Sequence, residues 1–369
     1  MKILVLNYEY PPIGGGSSPI SMSLTEGIAR NIEKVHVMTT HFSDLSETEI
    51  MDNITIHRLK CNRKYRMKSR IIEHLIYVGR GFTFFHKVLK KEKFDMCHCH
   101  FIVPTGLLAY LIMKVYGLDY IITAHGSDVP GHNKKKFKLL HFLIKPITKI
   151  IIKSAREIIF PSNYLLKRAR ETIGNSTEKY KYIPNGIELN KFNPQEKKKT
   201  IVAVGRLISL KGFDTLLDAV SSEDIGYEIH LLGDGPLKKI FKEKSKESKT
   251  KVIVHGWVDN SSKEFKDILE QASVFCLPSE RENASIALLE AMAAGCAIIT
   301  VDNPGAMETV GDVGEYFKYG DKIALLELLI QITENEEKMK KMQLGAKKRI
   351  MTEFAIEKTV GEYLKVLKV

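Results

Sequence analysis

Short β-rich runs recur along this 369-residue chain and alternate with stretches of helical periodicity. In the first half the runs lie at 2–7, 34–39, 54–59, 94–99, 120–124, 157–160 and 181–184, and in the second half at 200–204, 228–232, 252–255, 274–277 and 297–300. Many are continuously apolar rather than alternating. That pattern is what a parallel strand needs when helices cover both of its faces. The predicted fold is therefore α/β. The length calls for two domains, each a doubly wound, Rossmann-like sheet. Pro194 and the charged QEKKK run predict a linker over 190–199.

Charge is distributed unevenly. Residues 1–195 carry 30 Lys+Arg against 16 Asp+Glu (+14), and residues 196–369 carry 26 against 28 (−2), which together give the net +12. An acidic partner is expected to meet the first half alone. The five cysteines are scattered and suggest no disulfide framework, which fits a reducing, cytoplasmic compartment. The opening MKILVLNYEYPP reads as a first strand rather than a signal peptide. No run approaches the roughly 18 apolar residues of a membrane span.

Chemistry concentrates in SERENASIALLEAMAAGCAIIT, residues 279–300. Seven residues separate Glu282 from Glu290. Ser285 is predicted to cap a helix that Gly295 closes in a left-handed conformation. Glu282 then sits in the loop before the helix and Glu290 on its second turn, leaning back toward the same helix start. Free backbone N–H groups make that space electropositive. A ligand suited to it carries phosphates and several hydroxyls, as a nucleotide sugar does. The plainer alternative is a buried helix with two surface glutamates.

Other strand ends add to this. Gly14, Gly15 and Gly16 stand in a loop before a helix predicted over 20–30. Glycines allow close approach to a phosphate, although a flexible turn would look the same. The spacing is not the dinucleotide G-x-G-x-x-G, which disfavours an NAD dehydrogenase. His125 and Asp128 of ITAHGSD follow a strand directly and are predicted to face the ligand crevice. In CHCHF, Cys97 and Cys99 point to one side and His98 and His100 to the other. Burial is expected for the cysteines, with His100 edging the cleft, because no second ligand pair offers a zinc site. Arg206 and Lys211 of VAVGRLISLKG occupy a strand-to-helix loop, where two cations suit a diphosphate. LLGDGP (231–236) and HGWV (255–258) end further strands and could frame a base and ribose. No D-x-D occurs, so neutralisation of a diphosphate is expected from Arg206, Lys211 and backbone amides, with neither metal nor cofactor.

GGG at 14–16, HGSD at 125–128, IPNGIELNKF at 183–192, VGRLISLKG at 204–212, LLGDGP and the Glu282…Glu290 pair followed by AMAAGCAII resemble a retaining glycosyltransferase of family 4, the group 1 type, with the GT-B fold. The resemblance covers nearly the whole chain. It implies an acceptor-binding domain over 1–192, completed by a last helix at about 352–369 that crosses back, and a donor-binding domain over 197–351. It also implies that Glu290 holds the nucleotide's ribose and that Glu282 contacts the donor sugar. Asn283, Ala284 and Ser285 offer amides, Arg206 and Lys211 grip the diphosphate under the Gly14–Gly16 loop, and His125 lies beside the reacting carbon. His100 and Asp128 fall on the acceptor side. Many family members carry Gly-Phe-Gly where this chain has Asn283-Ala284-Ser285, so the sugar pocket differs here.

The implied reaction moves a hexose or N-acetylhexosamine from a nucleoside-diphosphate sugar to a glycan, lipid-linked or phospholipid acceptor, with retention. A sugar-nucleotide epimerase of the same fold, or a non-catalytic sugar-nucleotide-binding subunit, would share most of these residues. Two stretches lack acids: 53–72 has Arg58, Lys60, Arg63, Lys64, Arg66, Lys68 and Arg70, and 129–156 has Lys134, Lys135, Lys136, Lys138, Lys145, Lys149, Lys153 and Arg156. They predict peripheral attachment of the first domain to an anionic membrane, on its cytoplasmic face. Few aromatics interleave these cations, so no nucleic acid is expected.

Overall fold

In a computed structural model, residues 1–129, 138–174 and 177–368 are described, residues 138–144 and 177 by backbone alone. The chain forms two compact units, Met1–Gly186 with Ile356–Val369, and Ile187–Ala355.

The first unit is built on eight strands: β1 (Lys2–Leu6), β2 (Lys34–Thr40), β3 (Thr48–Met51), β4 (Ile54–Leu59), β5 (Met96–His100), β6 (Tyr120–Thr123), β7 (Ile158–Phe160) and β8 (Tyr180–Tyr182), in the order β3-β4-β2-β1-β5-β6-β7-β8. All pairs are parallel except β3 with β4. Its helices are α1 (Ser17–Ala29), α2 (Ile71–Lys87), α3 (Thr105–Tyr116), α4 (Lys138–Ser154) and α5 (Asn163–Ile173). Leu4, Leu6, Cys97 and Cys99 look into the core beneath α2 and α3, while Ile3, Val5 and Met96 look into a second core that the C-terminal helix helps to close.

The second unit has six parallel strands, β9 (Lys198–Val204), β10 (Glu228–Leu232), β11 (Val252–Gly256), β12 (Ala272–Leu277), β13 (Ala297–Val301) and β14 (Gly314–Phe317), in the order β11-β10-β9-β12-β13-β14. The helices are α6 (Phe213–Ala219), α7 (Lys238–Glu247), α8 (Lys263–Gln271), α9 (Ile286–Ala293), α10 (Pro304–Val310), α11 (Lys322–Glu334) and α12 (Glu336–Glu353). The last helix, α13 (Ile356–Leu367), returns to the first unit and packs on α1. Ile356, Val360, Tyr363 and Leu367 are buried there with Leu24 and Ile28.

Every predicted strand is present, and two more exist. β3 is a four-residue, largely exposed edge strand with only two apolar residues, and β14 opens on a glycine at the other sheet's edge, so neither carries a long apolar run. The boundary between units also differs from the predicted linker. Ile187 and Phe192 are buried among Leu288, Leu289 and Met292 of α9, so residues from 187 onward belong to the second unit. Phe354, expected on the crossing helix, is buried in that same cluster instead.

In each sheet the strand order reverses beside its first strand, between β1 and β5 and between β9 and β12. Loops leaving such a pair part to opposite faces and open a crevice at the strands' carboxyl ends. The motifs sit on those loops.

Candidate active site

The second unit's crevice is lined by residues 205–212 after β9 and 278–285 after β12. The two loops interlock. The Glu280 N–H donates to the Leu210 carbonyl at 3.0 Å. Gly212 has φ +64, and a Cβ there would lie 2.0 Å from the Pro278 carbonyl, so both conformation and space demand glycine. Behind them, buried Asn303 donates to the Ser279 carbonyl (3.1 Å) and accepts from the Glu282 and Ala306 amides (3.3 and 3.0 Å). One side chain thus caps α10 and fixes the loop bearing Glu282. Sequence reading passed over Asn303, although an Asn before a proline at a helix start is a capping signal.

Both glutamates are paired with lysines. Lys211 Nζ lies 2.5 Å from Glu282 Oε1, and both side chains are largely buried. Lys191 Nζ lies 2.6 Å from Glu290 Oε1, and Asn260 Nδ2 donates to Glu290 Oε2 at 3.3 Å. Glu290 is only 1% exposed. Burial pushes its carboxyl up from the ordinary range, and Lys191 and Asn260 pull it back. Arg206 is exposed and makes no side-chain hydrogen bond or ion pair among the described residues. Ser285 holds the N-cap position of α9, but its hydroxyl makes no capping bond, contrary to expectation. Gly295 follows the helix at φ +75. Asn283 and Ala284 complete the loop ahead of α9. Arg206, Lys211 and Glu282 thus stand on the two loops, and Glu290, held by Lys191, on the helix that follows, groups suited to hydroxyls and an anion together.

The first unit's crevice is different. Gly14, at φ +103, would bring a Cβ to 2.7 Å from Glu9 Cβ, whereas Gly15 and Gly16 face open space just ahead of α1. The loop is braced from the 61–70 segment. The Gly14 N–H donates to the Arg66 carbonyl (3.0 Å), Arg66 Nε donates to the Pro12 carbonyl (2.9 Å), and buried Arg63 donates to the Tyr8 carbonyl (3.2 Å). After β6, His125 shares a 3.1 Å hydrogen bond with His100 and rests on the Phe101 ring at 4.5 Å. Burial lowers the basicity of both imidazoles.

One expectation is corrected here, that of His100. His100 is fully buried and does not edge the crevice, so it can act only through His125. Asp128 accepts from the Ile102 amide (2.9 Å) and from the His125 and Gly126 amides (3.0 Å each), which makes it a brace joining the loops after β5 and β6. Cys97 and Cys99 are buried in the core.

The basic stretches also read differently once folded. Arg58 pairs with Glu49, Lys60 with Glu47, Arg63 with Glu9 and Arg70 with Glu73, acids that lie elsewhere in the chain. Lys64, Arg66 and Lys68 still face outward, next to exposed Tyr65, Met67, Ile71, Ile72 and Leu75. On α4, Lys145, Lys149 and Lys153 share the exposed face with Ile147 and Ile150, while Ile151 and Ile152 are buried. Lys134, Lys135 and Lys136, and the side chains of Lys138, Leu139, Leu140, Phe142, Leu143 and Ile144, lie outside the described residues. Among the described residues no helix is long and apolar enough to cross a membrane.

Comparison with known proteins follows the same division. Residues 14–191 match the family described as Glycosyltransferase Family 4, and residues 186–349 match Glycosyl transferases group 1. The chain is 23% identical to N-acetyl-alpha-D-glucosaminyl L-malate synthase of Bacillus anthracis, over 98% of this chain and 96% of that one. It is 24% identical to the UDP-Gal:alpha-D-GlcNAc-diphosphoundecaprenol alpha-1,3-galactosyltransferase of Escherichia coli, over 75% and 76%. In fold it is similar to sucrose-phosphate synthase of Thermosynechococcus elongatus, with a TM-score of 0.83 at 17% identity, covering 100% of this chain and 98% of that one.

Proposed function

Because this chain belongs to glycosyltransferase family 4, with the group 1 domain over residues 186–349, we propose that it transfers a hexose or N-acetylhexosamine from a nucleoside diphosphate to a lipid-linked glycan, with retention and without a divalent metal. The observation that carries the donor assignment is the placement of Arg206, Lys211 and Glu282 on the loops after β9 and β12 and of Glu290 on the helix that follows. Glu290 takes the ribose hydroxyls. Glu282 takes a hydroxyl of the donor sugar, and the backbone of Asn283, Ala284 and Ser285 lies beside it. Arg206 and Lys211 neutralise the diphosphate.

Departure of that diphosphate leaves an oxocarbenium-like sugar. Lys211, held by Glu282, and Arg206 stabilise the leaving anion, the kind of effect that contributes most at such a site. Lys211 already ion-pairs Glu282 at 2.5 Å, which dulls that carboxylate as a nucleophile. This favours attack by the acceptor on the face the diphosphate leaves, with the phosphate oxygen taking the acceptor's proton. His125, which the family likeness sets beside the reacting carbon, is kept neutral by burial.

A lipid-linked acceptor is supported by the outward cations and exposed apolar side chains around residues 64–75 and on α4. The Escherichia coli relative's name includes a diphosphoundecaprenol acceptor. A thermal-shift screen of nucleotide sugars, followed by transfer assays, tests the function. The matching donor should raise the melting temperature by mass action and yield product only with an acceptor. A new sugar nucleotide formed without acceptor would establish an epimerase instead. Co-sedimentation with anionic but not neutral liposomes, weakened by salt, tests the membrane reading. Recovery in the supernatant with both would contradict it.

A further inference from the structure

The two carboxylates of the donor crevice are not equivalent. Glu282 faces Lys211 from a neighbouring loop of the same crevice. Glu290 faces Lys191, which comes from the segment that opens the second unit, and no sequence signal links the two. That segment is firmly held. The Ile187 N–H donates to the Phe354 carbonyl (2.8 Å), Phe192 is buried against α9, and the Asn193 N–H and Gln195 Nε2 donate to the two Glu270 oxygens at 2.9 Å each. Lys191 Nζ also lies 5.4 Å from the Phe192 ring centroid. Its ammonium is thereby fixed against an almost completely buried carboxylate.

We infer that Lys191 is a positioning residue that keeps Glu290 ionised and aimed for two ribose hydroxyls, with Asn260 holding the second oxygen. This rests on the reading that Glu290 binds ribose. The chemistry is direct. Two vicinal hydroxyls donate best to two carboxylate oxygens, and a protonated acid loses one of those acceptors. A carboxyl this buried takes up a proton unless a cation lies beside it. Each Glu290 oxygen has two lone pairs, so Lys191 and Asn260 occupy one site on each and leave one for ribose. Donor affinity is then set from outside the glutamate motif, by a lysine on the connection into the unit.

The test measures binding to the full chain at pH 6 to 8.5. The probes are whichever of UDP, GDP, ADP and CDP binds wild type most tightly, and its 2′,3′-dideoxy form. Wild type should prefer the ribose form at least roughly tenfold, as expected for a hydrogen bond to a charged group, with little change across this range. Equal binding of the two forms by wild type would remove the ribose role of Glu290 itself, whatever Lys191 does. Given that preference, Lys191→Met should lose most of it at pH 6.5 and regain it toward pH 8.5 as Glu290 ionises, while Lys191→Arg keeps it throughout. Glu290→Gln should lack the preference at every pH, and adding Lys191→Met should change nothing more. Lys191→Met that melts lower yet keeps the wild-type preference at every pH would overturn the inference and leave a merely structural ion pair. Should Lys191→Met not fold, Lys191→Gln carries the same test. Loss of the preference in Lys191→Arg would likewise contradict it.

Discussion

The two crevices share one topological origin and hold opposite chemistry. At β9/β12, four charged side chains gather as two Lys–Glu pairs beside an outward arginine. At β1/β5 and β6, the strand ends carry a glycine loop and a neutral imidazole, with Arg63 spent on Glu9 and backbone carbonyls and Asp128 on backbone amides. One unit offers charge pairs suited to a charged, hydroxylated ligand. The other is built to hold its loops still while presenting few charges. Sheet topology therefore sets where a site forms, and the side chains on the first loops set what it binds.

The contrast breaks most completely if α13 is removed. Ending the chain after Ala355 strips Ile356, Val360, Tyr363 and Leu367 from the first unit's core. At about 1.5–3 kcal/mol per buried side chain, the loss rivals the whole stability of a domain. Calorimetry should show the first unit's transition abolished and the second unit's kept. A truncated chain that melts like wild type would refute the role given to α13.

Acid should separate the units next. Burial holds His98 down at about 3 and His57 at about 4, and lowers His36 and His100 as well. The second unit has only the partly buried His230–His255 pair. Where the folded pKa lies below the unfolded 6.5, the unfolded chain binds the extra proton, so stability falls as pH drops from about 6.5 toward 3–4. Each such histidine contributes up to about 1.4 kcal/mol per pH unit in that window. Between pH 7 and pH 5 the first unit's melting temperature should fall more than the second's. Parallel shifts would contradict this assignment of buried neutral histidines.

Much of this contrast was legible in the sequence, for a local reason. Apolar runs mark buried parallel strands, and a motif just after a run must stand at a crevice. Glu282, Arg206, Lys211, Gly14 and His125 were placed at strand ends that way, and Glu290 on its helix by its spacing from Glu282. What stayed hidden depends on chain-distant partners. Lys191 meets Glu290 across 99 residues, and Asn303 meets Ser279 across 24. The acid-free 53–72 stretch looked wholly basic because Glu9, Glu47, Glu49 and Glu73, which offset it, lie outside it. His100 looked accessible because a strand end can equally be a crevice rim or a core position, and here the strand's last residue is still covered.

Smaller effects sharpen the division. His125→Ala and Glu282→Ala should each lower turnover roughly a hundredfold, the range seen when one transition-state contact is lost, with less change in nucleotide affinity. Steady-state kinetics beside equilibrium binding would show it, and unchanged turnover in either variant would remove that residue from the reaction. Excess EDTA should leave transfer activity unchanged, because Arg206 and Lys211 supply the positive charge. Loss of activity restored by Mg²⁺ or Mn²⁺ would show that they do not suffice.

The central claim is that the donor nucleotide belongs to the second unit alone. Calorimetric titration of the tightest-binding nucleoside diphosphate into Glu290→Ala and His125→Ala, side by side, tests it most directly. The account predicts an affinity loss of about ten- to a hundredfold for Glu290→Ala, the cost of a hydrogen bond to a charged group, and less than about twofold for His125→Ala, within the scatter expected of a residue that makes no nucleotide contact. Wild-type affinity in Glu290→Ala, or a larger loss in His125→Ala, would contradict it.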